Sequence, residues 1–120
     1  MTRNELNFFR ELKKITDKLD LIIFPQVDME RFIKVIDRNT VDRNRIKSCS
    51  VDFVIVNNKN CRIICCIELD DSSHNRADVK IKGDFRNELF KHVNIPLFRI
   101  KNNYQYDLND IEQKIAKCIE

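Results

Sequence analysis

The chain is 120 residues long, 42% hydrophobic and 34% charged, with a formal net charge of +3. That length suits one domain, residues 1–120, with a core of its own, and the composition excludes a disordered or fibrous chain. No stretch approaches the roughly 18 apolar residues of a membrane span, so a cytoplasmic, non-membrane protein is expected.

The chain carries five cysteines, none in a Cys-x-x-Cys pair, which argues against structural zinc and for reduced core residues in a reducing compartment. The small positive charge is compatible with a phosphate-rich partner without requiring one.

Residues 4–19 have a helical period, with Phe8, Phe9, Leu12, Ile15 and Leu19 on one stripe and Lys13, Lys14 and Lys18 opposite. Glu5 falls on the apolar stripe. It reads equally well as a first-turn glutamate favoured by the helix dipole or as a residue with a further role. Residues 21–27 read as a strand in which Pro25 marks an edge or a bulge. A short helical turn is expected over 29–36, then a basic, solvated loop over 37–48.

Two strands, 50–56 and 62–70, are expected to form a hairpin around Asn57-Asn58-Lys59-Asn60. A helix should follow over 75–92, with Ile81, Phe85, Leu89 and Val93 recurring every four residues. Gly83 weakens it by about 1 kcal/mol relative to alanine. A strand over 97–100 and an amphipathic helix over 107–120 complete the order α-β-β-β-α-β-α. A helix between two strands favours pairing them in parallel. The expected fold class is α/β, a mixed β-sheet with flanking helices.

The hairpin carries the chemistry. Cys65-Cys66-Ile67-Glu68-Leu69-Asp70-Asp71-Ser72-Ser73-His74 runs an apolar strand into three carboxylates and a histidine, and Val51-Asp52-Phe53-Val54 embeds another acid upstream. Burying carboxylates costs several kcal/mol each, roughly, unless cations or donors satisfy them. With Val56 opposite Arg62, Asp52 falls opposite Cys66 and diagonal to Glu68, and Asp52, Glu68 and Asp70 share a face. A slip of one residue would separate them.

Hard oxygens in this arrangement suit Mg2+ or Mn2+, held by Asp52, Glu68 and the Leu69 carbonyl, with Asp70 for a second ion or a water. His74 is placed to move a proton, bind phosphate or complete the metal shell. Lys80 and Lys82 are weaker candidates for phosphate contacts, because helix lysines are mostly ordinary surface.

Asp52 on one strand and Glu68-Leu69-Asp70 on the next resemble the PD-(D/E)XK, restriction-endonuclease-like nuclease superfamily. The longer pattern is more specific. Val51-Asp52-Phe53-Val54, Ile67-Glu68-Leu69-Asp70-Asp71-Ser72-Ser73-His74-Asn75-Arg76 and Ile95-Pro96-Leu97-Phe98-Arg99-Ile100 resemble the domain-of-unknown-function family DUF2726. The Glu5-x-x-Phe8-Phe9-x-x-Leu12 opening also fits that family.

The resemblance implies a restriction-endonuclease-like core, with Asp52 and Glu68 as metal-binding acids and Glu5 as the acid of the first helix. The chain departs from the superfamily at Asp70, where the pattern has lysine, and from the DUF2726 family at Lys82-Gly83-Asp84, where an Arg-Asp pair is expected and the aspartate is displaced by one residue. Mismatch-nicking very-short-patch-repair endonucleases likewise lean on histidine rather than that lysine.

The leading expectation is a magnesium-dependent nuclease acting on DNA, with Asp52, Glu68, Asp70 and His74 as catalytic residues. A catalytically inactive domain that binds nucleic acid or protein is the alternative. A third reading pairs the acids with Arg76, Arg99 or Lys101 in a buried ion network. Nucleases of this kind often form homodimers, though no residue here requires it.

Overall fold

The computed structural model describes residues 1–32, 49–70, 87–101 and 106–119. Helix α1, Arg3–Lys18, begins at Thr2, whose hydroxyl accepts the Glu5 backbone N–H at 3.2 Å and satisfies one of the first-turn donors. Strand β1, Leu21–Asp28, leads into a 3-10 turn, Met29–Arg31. Strands β2, Ser50–Asn57, and β3, Ile63–Asp70, form the hairpin. Residues 87–93 are helical and are called α2. Strand β4, Leu97–Lys101, and helix α3, Leu108–Ile119, complete the described chain.

The four strands form one mixed sheet in the order β1-β2-β3-β4. β1 and β2 are antiparallel, as are β2 and β3, whereas β3 and β4 are parallel. The α/β class and the parallel pairing across the intervening helix match what the residue pattern predicts. Of the helical turn expected over 29–36, Met29–Arg31 form a 3-10 turn, and residues 33–36 lie outside the described residues. The basic loop over 37–48 and the first part of the helix over 75–92 lie outside the described residues.

Helices pack on both faces. On one, Phe8, Leu12 and Ile15 of α1 and Ile111 and Ile115 of α3 meet Phe53, Ile55, Cys65, Ile67 and Leu69. The Phe8 ring lies 5.5 Å from that of Phe53 and 4.7 Å from that of Tyr106. On the other, Phe90 of α2 and Met29 of the 3-10 turn cover Val51, Val54 and Cys66. Each fully buried side chain of this size contributes roughly 1.5–3 kcal/mol. β3, central and covered on both sides, is buried from Ile64 to Leu69. That explains its near-continuous apolar run.

The hairpin register differs from the expected one. Val56 pairs with Ile63 rather than Arg62, and Ile55 pairs with Cys65, so Ile64 is an extra residue on β3. The first difference comes from a longer turn. The Asn57 N–H donates to the Arg62 carbonyl, the Asn57 and Asn60 side chains accept from Lys59 and Arg62 N–H groups, and Cys61 takes a left-handed φ of 59°. The second is a β-bulge at Ile64. Together they shift the pairing by two residues. Because side chains alternate with a period of two, this shift leaves Phe53 to Val56 and Cys65 to Leu69 on the faces they were expected to occupy, whereas Val51, Ile63 and Ile64 change face.

Candidate metal centre at a strand fork

The β2–β3 ladder ends at the pair Phe53–Ile67. Beyond it both strands continue, but with other partners. β2 stays paired to β1 as far as Ser50–Asp28, and β3 stays paired to β4 as far as Asp70–Lys101. The sheet therefore forks between its two central strands. Asp52 and Glu68 are the first residue of each strand past the fork, and continuing the register sets them opposite each other. They do not have the diagonal relation that the shorter turn predicted.

The Asp52 carboxylate bridges the fork, its Oδ2 accepting the Leu69 backbone N–H at 2.7 Å. A side-chain oxygen thus replaces the main-chain acceptor that a continued ladder would have supplied. Across from it Glu68 is only 7% exposed, with Oε1 fully enclosed. Burial of a carboxylate to this depth requires cations or donors around it. Its charge is felt by Cys66 on the same face of β3. Burial first, and the Glu68 carboxylate second, push the Cys66 thiol up to about 12.

A break in the pleat turns Asp52 towards the fork. Val54 packs on the α2 face and Phe53 on the α1 face, yet Val51 again faces α2. Alternation therefore fails once, at Asp52. On β1 the residue at the same level is Gln26, which adopts a left-handed φ of 50° and interrupts the pairing between Pro25–Phe53 and Val27–Val51. A non-glycine residue in that region is uncommon and marks a local constraint. The Gln26 amide donates to Glu5 Oε2 at 3.4 Å. Glu5, Gln26, Asp52 and Glu68 thus lie in succession across α1, β1, β2 and β3.

Asp70 goes elsewhere. Two residues beyond Glu68, it is exposed and accepts from the Arg99 guanidinium in a 3.4 Å ion pair. Among the described residues, no three His, Cys, Asp or Glu side chains group to hold a metal ion. The structure therefore does not gather Asp70 with Asp52 and Glu68, because Arg99 of the neighbouring strand holds it. His74, Lys80 and Lys82 lie outside the described residues. Gln26 and Asn87 were not among the candidates drawn from the sequence, and only Pro25 hinted at the irregularity next to Gln26. Arg99 was named as an ion-pair partner for the acids, and it pairs with Asp70.

What the described atoms offer is two acids at the end of the β2–β3 ladder, one tied to the Leu69 main chain and the other enclosed, with the acid of α1 bonded to Gln26 at the same level of the sheet. Two carboxylates and a carbonyl fit a small divalent cation that keeps several of its waters. Softer sites need thiolate or imidazole, and the thiols here are protonated core groups.

Fold and site together define an α/β protein whose mixed four-stranded sheet carries two acids just past the end of its β2–β3 ladder. The chain belongs to the family described as "Protein of unknown function (DUF2726)", which it matches over residues 1–118. No curated protein and no solved structure matches it. No described helix is long and apolar enough to cross a membrane.

Proposed function

We propose that this chain is a divalent-metal-dependent nuclease with a restriction-endonuclease-like core, acting on DNA. The observation that carries the reading is the fork. Asp52 and Glu68 come from adjacent strands whose mutual ladder stops just before them, and this reading places a cation between the two acids. Asp52, Glu68 and the Leu69 carbonyl would hold Mg2+ or Mn2+. The ion would supply charge stabilisation on the phosphate oxygens and a bound water of lowered pKa.

The protein's own groups have separate tasks in this reading. The bond from the Leu69 N–H holds the Asp52 carboxylate at the fork, so that its orientation is set before a ligand arrives. Glu68 places a negative charge in a largely water-excluded position, which strengthens its hold on a cation. Glu5, fixed by Gln26, faces the same level of the sheet and is suited to orient a water. His74 is the candidate for moving the proton, and Lys80 and Lys82 for contacting phosphate.

The direct test is cleavage of plasmid and single-stranded DNA with Mg2+ or Mn2+. Wild type should nick or linearise the plasmid, and Asp52→Ala and Glu68→Ala should reduce the rate by at least about 100-fold, the scale of losing a charge-stabilising group. Protein inert with both ions, and unable to bind Mn2+ by calorimetry, would sink the nuclease reading.

The ion pair of Asp70 with Arg99 favours a second reading, a binding module without catalysis, because an acid stands where the superfamily pattern has a cation. DNA binding unaffected by Asp52→Ala, together with absence of cleavage, would favour that module.

A further inference from the structure

The α2 face of the sheet carries a cation beside the acid pair that the two-carboxylate site does not use. In the parallel ladder Glu68 pairs with Arg99 and Asp70 with Lys101, so Arg99 stands next to Glu68 on the neighbouring strand. Phe98 and Ile100 pack into the α1 face, whereas Leu97 packs on the α2 face. Period two therefore turns Arg99 towards α2, with Glu68 and Asp70.

Its guanidinium is held from two directions. Asn87 Oδ1, on α2, accepts from Nε at 3.3 Å and from Nη2 at 3.2 Å, and Asp70 Oδ1 accepts from Nη1 at 3.4 Å. The side chain is 26% exposed. A planar guanidinium held along both edges, yet open to solvent, is the form in which arginine recognises phosphate oxygens.

We infer that Arg99 is a phosphate-contacting residue of this site, oriented by Asn87 and Asp70, and that Asp70 positions the guanidinium and ligates no metal. This deepens the nuclease reading and rests on it for the ligand class, a nucleic-acid phosphate. Two acids with a cation between them attract the phosphate only through that cation. Arg99, on the far side of Glu68, adds a fixed positive charge and stays outside the metal shell. Asp70 is a positioning residue in this arrangement, acting through Arg99.

The experiment measures binding of a fluorescent oligonucleotide duplex across a salt series, with EDTA and with Ca2+, beside Mn2+ calorimetry on the same variants. Arg99→Ala should weaken duplex binding about tenfold and lower the slope of log K against log salt by about one, while Mn2+ affinity stays at the wild-type value. Arg99→Lys should keep the slope and lose part of the affinity, since charge survives and the two-sided hold does not.

Asp70→Asn should weaken duplex binding a few-fold, roughly, and leave Mn2+ binding intact. Should Arg99→Ala lose its fold, Arg99→Gln and Arg99→Lys carry the same comparison. Wild-type affinity and slope in Arg99→Ala or Arg99→Gln would overturn the inference, and so would loss of Mn2+ binding in Asp70→Asn. A wild-type chain that binds no duplex would overturn it too. Failure of the metal reading is read separately, as Mn2+ binding unchanged by Glu68→Gln, and leaves the EDTA measurements on Arg99 intact.

Discussion

At the scale of single residues, Asp52 and Glu68 have unequal surroundings. Asp52 is half-buried and tied to the Leu69 amide, whereas Glu68 is almost fully enclosed. A bound cation stabilises the folded chain by mass action, about 2.7 kcal/mol at a hundredfold excess over Kd. Thermal melts with added Mn2+ should therefore show a rise in Tm for wild type that is absent in Glu68→Gln.

Thiol chemistry gives a second prediction at this scale. Cys65 and Cys66 are buried, and burial raises both thiols above their ordinary value of 9.0, so the protonated form is favoured in the folded state. Their contribution is fully present below pH 9 and declines above it, because the unfolded thiols ionise first. For Cys66 the decline runs to about pH 12. Each unit in that window costs about 1.4 kcal/mol per thiol. Denaturant titrations from pH 8 to 10.5 should show a shallower loss in Cys66→Ala than in wild type. Iodoacetamide should label exposed Cys61 well before Cys65 or Cys66.

The two principal acids were legible because carboxylates within β-branched strands violate the apolar pattern. Arg99 was legible as a partner for the acids, and it pairs with Asp70. Gln26 and Asn87 were not, because a glutamine on an edge strand and an asparagine on a helix carry no periodic signal.

At the scale of elements, face assignment was legible and the register was not. Period two put Asp52, Glu68 and Asp70 on a common face, and the two-residue shift, one residue from the longer turn and one from the Ile64 bulge, kept the parity of that pairing, although the pleat breaks at Asp52. The asparagines of the turn announced a loop but not its length, since side-chain caps from Asn57 and Asn60 and the left-handed Cys61 decide it. The helix pattern of α1 was readable in its stripe at Phe8, Leu12 and Ile15, which is buried, but not at Thr16, which is buried beside it. Phe53 is the β2 contact of that stripe, its ring 5.5 Å from Phe8 and 6.1 Å from Phe9. Phe53→Ala should cost about 3–5 kcal/mol in urea denaturation, as a large core deletion does. Thr2→Ala removes only the helix cap and should cost about 1 kcal/mol.

At the scale of the whole molecule, helices on both faces leave β3 enclosed between β2 and β4 and between two apolar layers. The class of fold followed from the alternation of helical and strand periods, with the β3-helix-β4 order implying the parallel pair. The fork did not follow, because nothing local marks where two strands cease to pair. Net charge of +3 is too small to drive DNA association alone, so binding should depend on the local cations of the α2 face and weaken steeply with salt.

Enclosure of β3 also decides how the acid pair behaves over time. Amide protons of Cys65, Cys66 and Ile67 lie in the innermost strand and should exchange with deuterium only when the whole domain opens, whereas edge strand β1 frays locally. Glu68 follows directly on this slowest-exchanging stretch. Its carboxylate is thus anchored to the last part of the chain to come apart, so thermal breathing at the periphery leaves the position of Glu68 undisturbed.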